Sequence, residues 1–347
     1  MLMLFCALQF LLQIRAAGQL SLQDPAQQFR TKLSAKVQLL EAQNTAAVAG
    51  SDGWLFLTAE LRFLSAGRFW ADDAVAVSRS HKPDSADPLP AILDFNKQLK
   101  ERGIKLLVVP VPPKAAIYPE EILPELAISG EETLTFLSRF YDELRANGVE
   151  VVDLAPRYFE FRSKKRDALF CKTDSHWSGL GCVLAAQAMA QIVRAKLPEQ
   201  PSESHYVSDW VSSSFDGDLG GLLGADAPKI APEQILVRSV RDKATGKNVE
   251  PDSNSSVLLL GDSFTLVFHE FYAVNAGLLD QLALELGFAP DLIGTRGSGA
   301  TPVRVSLYRR ASKDPGYLAK KKIIIWCFTS REFTEAAQGW QKVPIAK

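Results

Sequence analysis

The chain has 347 residues, of which 47% are hydrophobic and 23% are charged, a composition that suits an ordinary globular protein with one sizeable core. Its 39 basic and 40 acidic residues leave a net charge of −1. Because no excess of positive charge exists to attract phosphate groups, this balance argues against a nucleic-acid-binding protein and against a protein held to anionic lipid by charge.

The chain begins with a short apolar run, MLMLFCALQFLLQI, and small residues follow at 16–18. A membrane-spanning helix needs about 20 apolar residues, so this run is more typical of the hydrophobic part of a secretory signal. No basic residue precedes it, which leaves an uncleaved anchor and a buried N-terminal helix as alternatives. We expect residues 1–18 to be a signal peptide or N-terminal anchor, and the protein to be periplasmic or otherwise extracytoplasmic, with membrane association possible through its N-terminus.

Strand and helix patterns alternate through the first half of the chain. A turn and a short strand are predicted at 50–57, and the polar, proline-rich residues 78–90 are predicted to form a loop. Helix, strand, helix and strand patterns then follow in turn at 91–102, 104–109, 131–146 and 149–154. A strand, a helix and a second strand joined by short links form a βαβ unit, which requires parallel pairing.

The second half continues the alternation after a long polar interval. A strong helix is predicted at 179–197, with Ser178 as its N-cap. Residues 198–256 show little periodicity and are expected to form loops and short strands. Two further apolar core strands are predicted, one at 257–260 and the other at 323–328.

These patterns predict an α/β fold with a doubly wound, mostly parallel sheet whose two faces are both covered by helices. The main domain is placed at residues 50–335. A helical linker is expected at 19–49, before the domain, and a C-terminal tail at 336–347.

The chain has four cysteines, and Cys6 lies in the expected signal. The three that remain, Cys171, Cys182 and Cys327, are an odd number and cannot complete a disulfide framework. Cys171 and Cys182 have the option of pairing in an oxidising compartment, while core packing is the alternative for each cysteine. No Cys/His cluster has the spacing of a zinc site, and we expect neither a metal nor another cofactor.

The sequence VLLLGDSFT at 257–265 contains a candidate nucleophile. Its apolar strand runs into Gly261, Asp262 and Ser263, after which a helix is predicted. A serine at the carboxyl end of a parallel strand lies where α/β folds place ligands, and backbone N–H groups at the start of a helix can stabilise an oxyanion. A plain helix cap after a strand would account for the same residues.

A candidate base and its partner lie just before the strong helix, at His176 and Asp174. Side chains two residues apart in an extended segment point to the same side, so these two can face one site. A serine nucleophile needs a base to take its proton, and the base needs a partner that fixes its tautomer. Among the other histidines, His81 and His205 lie in polar segments, and His269 would lie nearly opposite the candidate serine on a helix.

The block GDSF at 261–264 resembles the nucleophile block of the SGNH hydrolase superfamily. The Asp-Ser-His-Trp block at 174–177 precedes the serine, whereas the usual SGNH order places Asp-x-x-His after it. This permuted order resembles the alginate O-acetyltransferase family that includes AlgJ and AlgX. Four further blocks are similar to the family's and occur in the same order: GSDGWLFL at 50–57, VPVPPKAAIYPE at 109–120, FDGDLGGLLG at 215–224 and IIIWCFTSREF at 323–333. In the last block, Cys327 stands where the family commonly has Glu.

The resemblance covers residues 50 to about 335 and implies an SGNH hydrolase-like fold with permuted motif order. It implies that Ser263 is the nucleophile, His176 the base and Asp174 the residue that orients the base. The implied activity is O-acetylation of an exported polysaccharide, with an acetyl donor delivered by a separate membrane protein. The same triad suits a carbohydrate acetyl esterase, and a non-catalytic polysaccharide-binding or assembly protein is the alternative from a different class.

The resemblance also suggests which residues contact substrate. The substrate-contact candidates are Lys114, Tyr118, Trp177, Arg296 and Trp326. The two tryptophans are candidates for stacking on a sugar ring, with core packing as the alternative. Glycine allows close backbone approach, so the loop at 296–300 is a candidate for the oxyanion hole, with a plain surface turn as the alternative. The oxyanion candidates are Ser263, Gly297 and Gly299.

Overall fold

The computed structural model describes residues 24–165, 167–197, 205–224 and 227–346. The signal or anchor expected at residues 1–18 therefore lies outside the described residues. Within the described ranges, no helix combines the length and the apolar character that a membrane span requires.

The strands of the described residues are numbered along the chain. They are β1 (Ala47–Ala49), β2 (Leu55–Leu57), β3 (Lys105–Val111), β4 (Glu150–Val151), β5 (Tyr206–Phe215), β6 (Glu233–Asp242), β7 (Val257–Gly261), β8 (Asp291–Gly294) and β9 (Ile323–Thr329). Five of them form a central parallel sheet in the order β4–β3–β9–β7–β8. The other four form two antiparallel pairs, β1 with β2 and β5 with β6.

The helices of the described residues are numbered in the same way. They are α1 (Pro25–Ala42), α2 (Thr58–Ala66), α3 (Ala74–Val77), α4 (Pro88–Lys100), α5 (Lys114–Ile117), α6 (Pro119–Ile122), α7 (Gly130–Thr133), α8 (Thr135–Ala146), α9 (Ala155–Lys164), α10 (Gly179–Lys196), α11 (Ser263–Leu266), α12 (Leu278–Leu286), α13 (Thr301–Lys313) and α14 (Glu332–Glu335). Every residue of β7 and β9 is buried, so both faces of the sheet are covered. The expected α/β fold with a parallel sheet is confirmed.

The two ends of the described chain pack into the core. The helix α1 buries Phe29, Leu33 and Val37 on one face, and it therefore belongs to the domain instead of leading into it as a linker. Near the C-terminus, Trp340 and Ile345 are buried in the same core, so residues 336–346 are not a free tail. All three described cysteines are free and buried, which leaves core packing as their role.

The polar interval at 198–256 differs most from its prediction. Instead of short strands, it contains the ten-residue strands β5 and β6. Consecutive exposed residues on β5, including Trp210 and Val211, interrupt the alternation by which a half-buried strand is recognised. Elsewhere in the chain, the elements without a predicted counterpart include α2, α9, α12, β8 and α13.

The sheet places several chain segments at one edge. Because the strands are parallel, the carboxyl ends of β3, β7, β8 and β9 all lie on the same side. There β3 leads into α5, β7 leads into α11, and β9 leads towards α14. At the centre of this edge, Cys327 of β9 pairs with Val109 of β3 and with Gly261 of β7. A ligand site at the carboxyl ends of the strands is the usual arrangement in α/β folds.

Candidate active site

The turn that carries Ser263 is shaped by close packing and by a side-chain cap. A Cβ atom on Gly261 would lie 2.0 Å from the Cys327 carbonyl oxygen, so only glycine fits where β7 ends. The Asp262 carboxylate accepts the Phe264 N–H at 2.9 Å and the Thr329 N–H at 2.7 Å. Burial raises the pKa of Asp262. These contacts place Ser263 at the first position of α11, as the sequence predicts.

The structure brings the three predicted triad residues together. His176 Nε2 lies 2.8 Å from Ser263 Oγ, and His176 Nδ1 lies 2.7 Å from Asp174 Oδ1. Asp174 is 0% exposed and His176 is 5% exposed. With the proton on Nδ1, the imidazole donates to the carboxylate and accepts from the serine hydroxyl, which is the tautomer a general base requires.

The Asp174 carboxylate has several donors. Its Oδ1 also accepts the His176 N–H at 2.9 Å, and its Oδ2 accepts the Asp218 N–H at 2.9 Å. Burial by itself would raise the pKa of Asp174, but the hydrogen bond and charge of His176, together with these N–H groups, hold that pKa well below its usual range. The Asp and His side chains therefore meet through a tight turn, not through the extended segment expected from their spacing.

Residues from distant parts of the chain hold this turn in place. The Glu233 carboxylate at the start of β6 accepts the N–H groups of Lys172 and Thr173, each at 2.7 Å. The Asp218 carboxylate accepts the Ser175 N–H at 2.7 Å and its hydroxyl at 2.6 Å. Glu233 is not among the residues predicted for the site, since it lies in the interval without periodicity and no motif includes it.

The remaining histidines lie away from this arrangement. His81 and His205 are exposed, and His269 Nδ1 lies 3.0 Å from Asp280 Oδ2. Burial opposes the protonation of His269, but the bond to Asp280 leaves its pKa raised. Because α11 ends at Leu266, His269 does not lie on the helix of Ser263 as the sequence analysis expected, and it is its contact with Asp280 that sets it apart from the candidate triad.

Two of the five substrate-contact candidates are tryptophans in the core. Trp177 is 0% exposed and meets the Phe264 ring edge-on, with their centroids 5.1 Å apart. Trp326 is also 0% exposed, and its indole N–H donates to the Gly299 carbonyl at 2.7 Å. Neither ring has a free face for a sugar, so the structure replaces stacking with core packing for both.

Two further candidates, Lys114 and Tyr118, are also buried. The Tyr118 hydroxyl accepts the Leu169 N–H at 2.8 Å, and burial raises the pKa of this hydroxyl. The Lys114 ammonium donates to the backbone carbonyls of Lys172 and Asp174. These lie in the segment 172–176 that carries Asp174 and His176, which we call the catalytic turn. Lys114 therefore contacts the site from its buried side, and burial keeps both residues from lining a sugar cleft.

The fifth candidate, Arg296, lies at the rim of the site. Its guanidinium lies over the Phe271 ring at 4.5 Å from the centroid, and the Phe271 ring lies 5.9 Å from the His176 ring. Arg296 is exposed, and its charge is only loosely paired with Glu270, at 3.8 Å. It is therefore positioned to meet a ligand that approaches His176 from solvent.

The glycine loop adjoins the nucleophile turn through only one of its two glycines. A Cβ atom on Gly299 would lie 2.4 Å from Phe328 Cβ and 3.2 Å from Asp262 Cβ, so the loop touches the residue before the serine. Gly297 has a φ of +95° and open space around it. Ser298, between them, donates its hydroxyl to Glu332 at 2.5 Å. Burial raises the pKa of Glu332 to about 7.

One group among the described residues has metal-binding geometry. Asp174, His176 and Asp218 each place one possible ligand atom within 4.8 Å of the others. These atoms already have partners, since His176 contacts Ser263 and the Asp218 carboxylate contacts Ser175. The arrangement is thus accounted for by hydrogen bonds within the protein.

Comparison with known proteins shows the family of this chain. Residues 47–287 match the family model described as "SGNH hydrolase-like domain, acetyltransferase AlgX". The protein called probable alginate O-acetylase AlgJ of Pseudomonas aeruginosa PAO1 is 28% identical over 298 residues, which are 82% of this chain and 69% of the relative. The protein of the same name from Pseudomonas syringae pv. tomato is 26% identical over 296 residues, 82% of this chain and 68% of the relative.

Solved structures share the fold. The O-acetyltransferase domain of Pseudomonas putida AlgJ matches with a TM-score of 0.62 at 22% identity, covering 84% of this chain and 92% of that one. Pseudomonas aeruginosa AlgX matches with a TM-score of 0.60 at 17% identity, covering 84% of this chain and 63% of that one. The triad geometry, the fold and the extent of the family match agree, and this chain belongs to the family of SGNH hydrolase-like acetyltransferase domains typified by AlgX.

Proposed function

We propose that this protein transfers an acetyl group to a hydroxyl of an exported polysaccharide through an acyl-serine formed on Ser263. The observation that carries the proposal is the hydrogen-bonded series from Asp174 through His176 to Ser263, with distances of 2.7 and 2.8 Å. The family match and the relatives called alginate O-acetylases support acetyl transfer and a polysaccharide acceptor.

In the first half-reaction, Ser263 Oγ attacks the carbonyl carbon of the donor's acetyl group while His176 Nε2 takes the hydroxyl proton. The tetrahedral intermediate collapses, the bond to the donor breaks, and His176 returns the proton to the leaving group. Asp174 stabilises the imidazolium that exists between these steps. Acetyl-Ser263 is the product.

In the second half-reaction, a sugar hydroxyl attacks the acetyl-serine and gives its proton to His176. Collapse of this intermediate releases the acetylated sugar, and Ser263 recovers its proton from His176. We infer that the backbone N–H of Ser263 at the start of α11 and the N–H of Gly299 stabilise the oxyanion, because both segments adjoin the serine. Attack by water in place of the sugar would make the same triad an esterase.

We further infer that the acceptor approaches past Arg296, an exposed cation that lies over the Phe271 ring, which in turn lies beside the His176 ring. Export is part of the proposal, supported by the apolar run before residue 15 and the small residues after it. An acetyl donor outside the cytoplasm has to be supplied by a membrane protein. Fractionation of cells tests export, and recovery of the protein from the cytoplasm with Met1 retained would contradict it.

The activity is tested with a chromogenic acetyl ester, with and without an oligosaccharide acceptor. We expect the wild type to form acetyl-Ser263 and acetylated oligosaccharide, both detected by mass spectrometry, and Ser263→Ala to form neither. Ser306→Ala is the control, since the Ser306 hydroxyl only donates to the Pro302 carbonyl on α13. Acetate release without acetylated sugar would identify an esterase, and full labelling of Ser263→Ala by a serine-directed probe would exclude this nucleophile.

A further inference from the structure

We propose that Lys114 is a positioning residue for the catalytic turn. Its ammonium ties the carbonyl groups of Lys172 and Asp174 to the sheet and thereby keeps the Asp174 carboxylate against His176. The inference rests on the proposed function, because the position of Asp174 matters to turnover only where His176 is the base.

The contacts of Lys114 reach across the fold. Lys114 is the first residue of α5, immediately after β3, and its side chain is almost fully buried, with 1% exposed. Its Nζ donates to the Lys172 carbonyl at 2.9 Å and to the Asp174 carbonyl at 3.0 Å. The two carbonyls lie on either side of Thr173, so one ammonium fixes both ends of the peptide segment that leads into the Asp-Ser-His turn.

The ammonium is enclosed on its other sides. It lies 5.3 Å from the centroid of the Trp54 ring and 5.4 Å from that of Phe56, which is the geometry of cation–π attraction. Glu60 on α2 supplies a nearby carboxylate, which accepts the Ala115 N–H at 3.2 Å. One buried cation thus joins three separate sequence blocks, those at 50–57, 109–120 and 174–177. Because Lys114 is buried, a sugar cannot contact it.

The charge of Lys114 depends on this enclosure. Burial lowers the pKa of Lys114 to about 8, and the carboxylates that oppose this shift are those of Glu60 on α2, Glu233 on β6 and Asp174 in the turn. Burial raises the pKa of the Cys171 thiol well above its ordinary value, so this thiol stays neutral near pH 8. A neutral amine still has two N–H donors, but its bonds to the two carbonyls are weaker than those of an ammonium and the cation–π attraction is lost. We therefore expect the wild-type kcat to decline above about pH 8 as Lys114 loses its proton.

The test compares Lys114→Met with a matched buried lysine. Lys321 is also buried and donates to two carbonyls, those of Ser253 and Ser255, at 3.0 Å each. It also forms an ion pair with the buried Asp291 at 2.9 Å, so its loss is at least as disruptive to the fold as the loss of Lys114. It precedes β9, at the opposite edge of the sheet from the triad. We expect Lys114→Met to lower kcat about 100-fold, the cost of misplacing a catalytic group by about 1 Å, with little change in KM. Lys321→Met should keep its kcat near that of the wild type while losing a similar amount of thermal stability.

A second variant covers the case in which Lys114→Met does not fold. Lys114→Arg keeps its charge because the guanidinium pKa is above about 12, so its kcat should no longer decline near pH 8. A kcat of Lys114→Met within about threefold of Lys321→Met, or an unchanged decline near pH 8 in Lys114→Arg, would overturn the inference. If Ser263→Ala keeps its turnover, the proposed function fails instead, which distinguishes the two failures.

Discussion

Asp218 supports Asp174 with its backbone and not with its carboxylate. The Asp218 N–H donates to Asp174 Oδ2 at 2.9 Å, while the Asp218 carboxylate accepts the amide and hydroxyl of Ser175. Partial burial and the charge of Asp174 raise the pKa of Asp218. Asp174 is therefore the carboxylate that contacts His176 Nδ1, whereas Asp218 contacts Asp174 through its backbone N–H.

Asp174→Asn should lower kcat by roughly 10⁴, as the equivalent change does in a serine protease. An amide can donate to the imidazole as well as accept from it, so the wrong tautomer of His176 becomes available and the base can no longer take the serine proton. KM should change much less, because Asp174 lies behind the base. Steady-state kinetics on an acetyl ester provide the measurement, and a kcat within about threefold of wild type would show that Asp174 does not orient His176.

Asp218→Ala should lower kcat by less than Asp174→Asn does. The variant keeps the backbone N–H that contacts Asp174 but loses two hydrogen bonds to Ser175, which are worth about 1–3 kcal/mol where the groups are buried. Asp216→Ala is the control, since Asp216 is an exposed aspartate in the same loop. An Asp218→Ala kcat as low as that of Asp174→Asn would mean that the two carboxylates act as one unit.

The three candidate triad residues could be predicted because each lies in a short, recognisable sequence pattern. The strand that ends in Gly-Asp-Ser and the two-residue spacing of Asp174 and His176 are both visible along the chain. Of the residues that hold the turn, Asp218 lies in the recognised block at 215–224, whereas Glu233 comes from a strand without alternation and was not recognisable. Lys114 was recognised as a residue of the site and was assigned to substrate contact. A sequence cannot show whether a lysine near a site faces solvent or the core.

The assignments of the tryptophans illustrate the same limit. Trp326 lies in a continuous apolar strand, and the parallel sheet buries such strands on both faces. Trp177 precedes the N-cap of α10 and packs under the nucleophile helix, a contact between segments far apart in sequence. Burial of this kind is decided by tertiary packing, and neither residue type nor spacing reveals it.

Asp262→Ala should destabilise the protein and misplace the nucleophile. The N–H groups of Phe264 and Thr329 lose their acceptor in a buried setting, which we expect to lower the free energy of unfolding by about 2–4 kcal/mol. The control is Asp87→Ala, which removes a carboxylate that also accepts two N–H groups, those of Leu89 and Ala71, but at a less buried site remote from the triad, and should cost about 1 kcal/mol. Urea denaturation measures both, and equal losses would show that the burial of the Asp262 contacts adds nothing to their contribution.

Glu332→Gln should change how stability depends on pH. Burial raises the pKa of Glu332 from 4.5 to about 7, so between these values the folded protein holds a proton that the unfolded chain has released. The stabilisation from this proton is fully present below pH 4.5 and is lost as the pH rises through 7. Glutamine does not titrate and its side-chain oxygen can still accept from Ser298, so the variant should escape this loss.

The quantity to measure is therefore the difference in free energy of unfolding between Glu332→Gln and wild type across this pH range. It should rise in favour of the variant by about 3 kcal/mol, at roughly 1.4 kcal/mol per pH unit. Glu131→Gln, at an exposed carboxylate, is the control and should show no such rise. A difference that stays constant from pH 4.5 to 7 would mean that Glu332 does not hold its proton in the folded protein, and that its bond to Ser298 is made by the ionised carboxylate throughout.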